Sequence, residues 1–199
     1  MRHMRMLFWA ATACTALAWA AAARAQFLGQ SGPLEGMATG SRMLGAYVGG
    51  GAGDVGPAAE LRFATAPHAT VGLGASVENK TFGMQADARA GLLNTGGDDP
   101  LELGGQLAAG FLTGGGSTGF YGQAVPGASF DWSVGRGQSF STWAGLGFRL
   151  TAATHQVGRG DGVVRVGARF NFSPTVNFGA SLEDVGGTSR IIAGAGYTF

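Results

Sequence analysis

The chain has 199 residues, of which 38 are Gly and only 13% are charged, and its formal net charge is +1. So little charge excludes the basic surface of a nucleic-acid binder, and its balance names no acidic or basic partner. A single cysteine, Cys14, and three histidines rule out a disulfide framework and a thiolate metal site and leave little for a histidine cluster, so neither metal nor cofactor is expected.

Residues 1–5 carry Arg2 and Arg5, residues 6–23 carry no charge, and Ala23-Arg24-Ala25 places small residues before Gln26. This is the layout of a secretory signal peptide over 1–25. A membrane anchor of roughly 18 residues is the alternative, and the Ala-rich run with its cleavage pattern speaks against it. Cleavage would remove Arg2, Arg5 and Arg24, giving a formal charge of about −2, and would remove Cys14, leaving an exported chain without cysteine. Residues 26–41 contain turn formers and little periodicity, and are expected to be a periplasmic lead-in or an inserted plug.

From residue 42 a period of two takes over, the signature of strands whose two faces differ. Segment 42–50 has Leu44, Ala46 and Val48 as its apolar set. Segment 58–66 sets Leu61 and Phe63 against Glu60 and Arg62, and 69–78 sets Val71, Leu73, Ala75 and Val77 against Thr70, Ser76 and Glu78. In 81–93 Phe82, Met84, Ala86, Ala88, Ala90 and Leu92 oppose Gln85, Asp87 and Arg89; in 101–111 Leu101, Leu103, Leu107, Ala109 and Phe111 oppose Glu102 and Gln106. Segment 119–134 contains Pro126 and calls for a bulge or kink. Beyond it, 139–150 sets Phe140, Ala144, Leu146, Phe148 and Leu150 against Trp143 and Arg149, and 163–172 sets Val164, Val166, Ala168, Phe170 and Phe172 against Arg165, Arg169 and Asn171. Segment 175–183 alternates Val176, Phe178, Ala180 and Leu182 with Asn177, Ser181 and Glu183. The last, 191–199, carries Ile191, Ala193, Ala195, Tyr197 and Phe199 on one face.

These segments, joined by short Gly-, Pro- and Asp-containing breaks, predict an all-β, antiparallel up-and-down meander of ten strands, with eight as the alternative. A soluble sandwich would turn the apolar faces into a core, whereas a transmembrane barrel turns them to lipid. Strands near the roughly 9–11 residues needed to cross a bilayer, an even strand number, and abundant Gly on the polar face favour a barrel over 42–199. Periplasmic turns are expected at 67–68, 94–100, 135–138 and 173–174. External loops are expected at 50–57, 79–80, 112–118, 152–162 and 184–189, most of them longer than the turns.

The terminal alternation ending on Phe199 resembles that of Gram-negative outer-membrane β-barrels, and in size and pattern the mature chain is similar to small barrels of the OmpA-domain, OmpX and OmpW kind. The resemblance implies an outer-membrane location, contact with outer-membrane lipid, and reading of Tyr197 and Phe199 by the barrel-assembly machinery. It names no solute, and no oligomeric state follows from it.

Six acids and six bases take the inward parity: Glu60, Arg62, Glu78, Asp87, Arg89, Glu102, Asp131, Arg149, Arg165, Arg169, Glu183 and Arg190. Either they pair and hold the barrel closed, or they form the charged lining of a narrow pore. In the second case Arg62, Arg89, Arg149, Arg165 and Arg169 with Glu60, Asp87 and Glu102 are the lining candidates. Passive passage of small solutes is the specific expectation, and a closed surface barrel for ligand binding or envelope integrity is the alternative. An outer-membrane hydrolase would need a base within reach of a nucleophile at the rim. His155 in "THQVGRGDG" has Arg159 and Asp161 nearby but no Ser, so no enzyme is expected. The Gly-rich strings "GGGAGDVG" and "TGGGSTG" precede no helix, and a phosphate cradle is not expected there.

Overall fold

The structure is a computed structural model and describes residues 37, 39–51, 54–78, 80–95, 101–114, 117–135, 137–153 and 156–199. The expected signal peptide and most of the lead-in lie outside the described residues. Ten strands follow in order: β1 (Arg42–Gly51), β2 (Asp54–Ala66), β3 (Ala69–Glu78), β4 (Thr81–Asn94), β5 (Leu101–Gly114), β6 (Ser117–Gly135), β7 (Gln138–Ala153), β8 (Gln156–Asn171), β9 (Val176–Val185) and β10 (Thr188–Thr198). Each pairs antiparallel with its sequence neighbours, and β1 closes on β10, so the sheet is a closed barrel and the eight-strand alternative is excluded. The seam is completed by the last residue: Arg42 and Phe199 exchange backbone hydrogen bonds of 2.9 and 2.8 Å. We call the end that carries this seam the closing rim and the opposite end the hairpin rim.

The alternation in the sequence becomes the two faces of the wall. Leu44, Leu73, Leu107 and Leu146 point outward and are 55–67% exposed, whereas Glu60 and Glu183 point inward and are 2% and 0% exposed. The barrel is thus inverted relative to a water-soluble protein, with its apolar surface outside and its charges within. Large rings fit inside because glycines face them. A Cβ at Gly167 would lie 2.2 Å from the Trp143 ring, so only glycine leaves room for the indole against β8.

Aromatic residues gather at two levels of the outer wall. Toward the hairpin rim Phe82, Phe111 and Phe120 touch in series, with ring centroids 6.2 and 6.4 Å apart. Toward the closing rim Phe130, Trp132 and Phe140 cluster at 4.7 and 5.6 Å, and Tyr197 stacks on Phe199 at 6.2 Å. Phe120 and Phe130 are ten residues apart on one strand, about 33 Å at ~3.3 Å per residue. At the ~35–45° tilt of such barrels that is a rise of roughly 25 Å, the height of an outer-membrane apolar band.

Two expectations fail. Pro126 inserts no bulge: β6 keeps one register with β7 from Ala124↔Phe148 to Gly127↔Gly145, and pairs with β5 at Gly105↔Pro126. The β6–β7 ladder skips residues 125 and 126, as it must where proline has no N–H to donate, without inserting a residue. Register shifts occur instead near strand ends, at Ala64/Ala66, Gly91/Leu93, Ser133/Gly135 and Thr151/Ala153.

The expected long external loops are also absent. At the hairpin rim only residues 52–53, 79–80, 115–116, 154–155 and 186–187 separate the strands, and β5 to β8 run 14 to 19 residues. The longest connections, 95–100 and 172–175, lie at the closing rim. Glycine accounts for the error: Gly158, Gly160 and Gly162 belong to β8, but without side chains they carry no alternation to read.

Candidate functional site

The inward residues of β2, β3 and β4 build one charged cluster. Arg62 donates to both oxygens of Asp87 at 3.0 and 3.1 Å and to Thr70 Oγ1 at 3.0 Å, and lies 3.5 Å from Glu60. Arg89 Nε donates to Asp87 Oδ2 at 3.2 Å, and Tyr47 from β1 donates its hydroxyl to Glu60 at 2.8 Å. Between β2 and β4 the wall carries Gly72. A Cβ there would lie 2.6 Å from Asp87 Oδ1 and 2.8 Å from the Arg62 guanidinium, so this glycine opens the path of the ion pair.

A second cluster occupies β6 to β9. Glu183 receives Arg165 Nε at 2.8 Å, with Nη2 on the same oxygen, and Arg149 Nη2 at 3.2 Å on the other. Arg149 also donates twice to Gln123 Oε1, at 2.9 and 2.7 Å, and lies 4.9 Å from the centre of the Tyr121 ring, whose hydroxyl donates to Gln85 Oε1 at 2.6 Å. Arg190 and Glu78 form a looser pair at 3.6 Å.

Gln106 on β5 joins the two clusters. Its Nε2 donates to Asp87 Oδ2 and its Oε1 accepts from Arg165 Nη1 at 2.5 Å. A carboxylate only accepts and a guanidinium only donates, so the amide has one possible orientation. Since β6 and β7 stand between β5 and β8, this bond crosses the lumen. Arg62, Arg89, Gln106, Arg149 and Arg165 are each no more than 4% exposed, and Asp87 is 6% exposed. Charges taken that far from water carry a penalty of several kcal/mol each unless partnered, and the network supplies the partners.

Of the lining candidates, Glu60, Arg62, Asp87, Arg89, Arg149 and Arg165 meet in this network. Glu102 and Arg169 lie nearer the closing rim, where Glu102 Oε1 is 3.3 Å from His68 Nδ1 and Arg169 is half-buried. Uncharged side chains, Gln106, Gln123, Tyr47 and Tyr121 among them, complete the network. Parity marks Gln106 as inward-facing, but nothing in the sequence distinguishes it from other inward polar residues such as Ser129 or Ser141. His155 lies outside the described residues; Asp161 accepts a hydrogen bond from Arg159 at 2.6 Å. Tyr197 and Phe199 stand on the outer wall at the closing rim, more than half exposed. A mostly apolar hollow of ≈790 Å³ is lined by Phe63, Leu73, Ala88, Leu107 and Phe148 among others, with Asp87 and Gln123 of the network also at its wall.

No family model and no curated protein matches the chain. Among solved structures, the KdgM porin is similar at 12% identity and a TM-score of 0.41, covering 79% of this chain and 99% of that one. A de novo designed transmembrane β-barrel is similar at 13% identity and a TM-score of 0.41, covering 82% and 99%. Ail, the attachment invasion locus protein of Yersinia pestis, is similar at 16% identity and a TM-score of 0.33, covering 81% and 99%. At such identities and scores the likeness is one of architecture and goes no further.

Proposed function

We propose that this chain is an outer-membrane β-barrel, closed by its own interior charges, that acts at the cell envelope or surface and not as a freely open porin. Support for the membrane comes from the outer wall. A continuous apolar belt bounded by two aromatic levels has no stable place in water, but matches a bilayer and its interfaces. Under this reading the closing rim faces the periplasm, where both ends of the barrel meet.

The observation that carries the closed state is the Asp87–Gln106–Arg165 connection, which ties opposite walls together through side chains with at most 6% exposure. Under this reading solutes pass only when Gln106 or Arg165 moves aside and gives up bonds to buried charged partners. The reading contains no catalytic step. Single-channel recording from protein folded in detergent, with folding shown by heat-dependent gel mobility, tests it. Silent bilayers containing folded protein are expected. Discrete, reproducible conductance steps from the unmodified chain would replace this reading with that of a constitutively open pore.

A further inference from the structure

Below the sealing network, toward the closing rim, the inner wall of β5 to β7 carries a different set of groups. Glu102 stands opposite Ser129 across the β5–β6 ladder, and Asp131 stands opposite Ser141 across β6–β7. Ser129 and Asp131 are two residues apart on one strand and so share a face. Four oxygen-bearing side chains therefore occupy adjoining positions on one side of the lumen. Directly opposite residues of such ladders are about 4.5–5.5 Å apart.

Ser129 Oγ, Asp131 Oδ1 and Ser141 Oγ are buried oxygens without a hydrogen-bond partner, and Glu102 Oε1 has His68 Nδ1 at 3.3 Å. Ser129 is 1% exposed, Ser141 0% and Glu102 4%. Asp131, two residues beyond Ser129, stands diagonal to Glu102 across the β5–β6 ladder, about 7–8 Å away by backbone. Two carboxylates so placed, combined with unspent hydroxyl oxygens, are a costly arrangement for a buried wall by itself. It is the arrangement that a cation relieves.

We propose that Glu102, Ser129, Asp131 and Ser141 form a binding site for a hard divalent cation of the Ca²⁺ type inside the closing rim. The donor set is all oxygen, which suits Ca²⁺ or Mg²⁺ and not the nitrogen- and sulfur-seeking transition metals. Ca²⁺ accepts six to eight oxygens at about 2.3–2.6 Å, and water entering from the rim completes a shell begun by four side chains. Among the described residues no three His, Cys, Asp or Glu side chains gather at one point, so hydroxyls have to contribute here. Two basic side chains compete for the carboxylates: His68, beside Glu102 and half exposed, and Arg169, opposite Ser141 across β7–β8. The site is independent of the sealing network and makes no use of Gln106 or Arg165.

Tb³⁺, a luminescent stand-in for Ca²⁺, is the probe. Trp143 lies opposite Ser129 across β6–β7 and is positioned to sensitise it. Protein refolded in detergent, checked by heat-dependent gel mobility, is titrated with Tb³⁺ at pH 7.5 under tryptophan excitation, and bound ion is then displaced with Ca²⁺. Saturable emission, reversed by Ca²⁺ and weakened roughly tenfold or more in both Glu102→Gln and Asp131→Asn but retained in the hairpin-rim control Asp54→Asn, is expected. Ser129→Ala, a smaller change, keeps the assay informative if a carboxylate variant does not fold; its titration should shift in the same direction. Absence of sensitised emission from folded protein overturns the proposal and leaves Arg169 and His68 as the neutralising groups. Emission equal in all variants also overturns it, by placing the ion elsewhere. Conductance plays no part in this test, so it stands or falls apart from the closed-barrel reading.

Discussion

Arg165 on β8 donates a hydrogen bond of 2.5 Å to Gln106 on β5, although β6 and β7 separate their strands in the wall. The same amide donates to Asp87, so one neutral side chain couples a cluster rooted in β2 to β4 with one rooted in β6 to β9. Each cluster is largely satisfied without it. Asp87 keeps Arg62 and Arg89, and Arg165 keeps Glu183.

That independence makes Gln106→Ala informative. The variant loses two hydrogen bonds to charged groups, each worth about 1.5–3 kcal/mol at most in such settings, yet strands no unpaired charge. Folded Gln106→Ala protein is expected to show ion leak or brief conductance steps in planar bilayers where the unmodified chain is silent, with a modestly lower urea midpoint. A variant as silent as the parent would show that the clusters seal the lumen separately.

Glu183→Gln probes the opposite case. Arg165 and Arg149 both rely on this carboxylate, which is fully buried. An amide of the same shape leaves two guanidiniums facing a neutral group, and removal of one partner from a buried charge pair costs about 3–5 kcal/mol. Urea unfolding in lipid vesicles should register a loss of that order. A loss below about 1 kcal/mol would place water, and not Glu183, as the principal partner of these arginines.

The faces of the wall were legible in the sequence because charge and apolarity alternate with the pleat. Glu60 and Arg62 against Leu61 and Phe63 can be placed only one way once one face is excluded from water. All twelve inward charges, and the outward row ending in Tyr197 and Phe199, follow from that rule. Strand ends were less legible because glycine carries no face: residues 152–162 looked like a loop, whereas β7 and β8 continue through much of them. The joining of two charge clusters by Gln106 was hidden for another reason. Parity says which way a side chain points, but a contact across the lumen depends on barrel closure and the relative stagger of strands 59 residues apart in sequence.

Depth in the apolar belt can be tested by position. Ala88 faces outward on β4, opposite Leu107 and Val71, between the two aromatic levels; Leu92, on the same face, is close to the closing rim and 77% exposed. An arginine on the lipid face costs about 2–4 kcal/mol at the midplane and about 0–1 near an interface. Ala88→Arg should therefore destabilise the folded protein in vesicles by the larger amount and Leu92→Arg by the smaller. Equal costs would remove the depth assignment, and negligible costs at both positions would argue that this wall meets water.

The terminal residue separates two contributions. Its backbone completes the β1–β10 seam through two hydrogen bonds with Arg42, and its ring stacks on Tyr197 on the outer wall. Phe199→Ala keeps the seam and loses the ring, whereas deleting Phe199 loses both. If the aromatic end is what the assembly machinery recognises, both variants should reach the outer membrane at reduced levels, while Phe199→Ala refolded in vitro should retain near-parental heat-dependent mobility. Reduced levels of the deletion alone would assign the effect to the seam. Parental levels of both variants would withdraw Phe199 from any role in assembly, because neither the ring nor the closing hydrogen bonds would then be required for insertion.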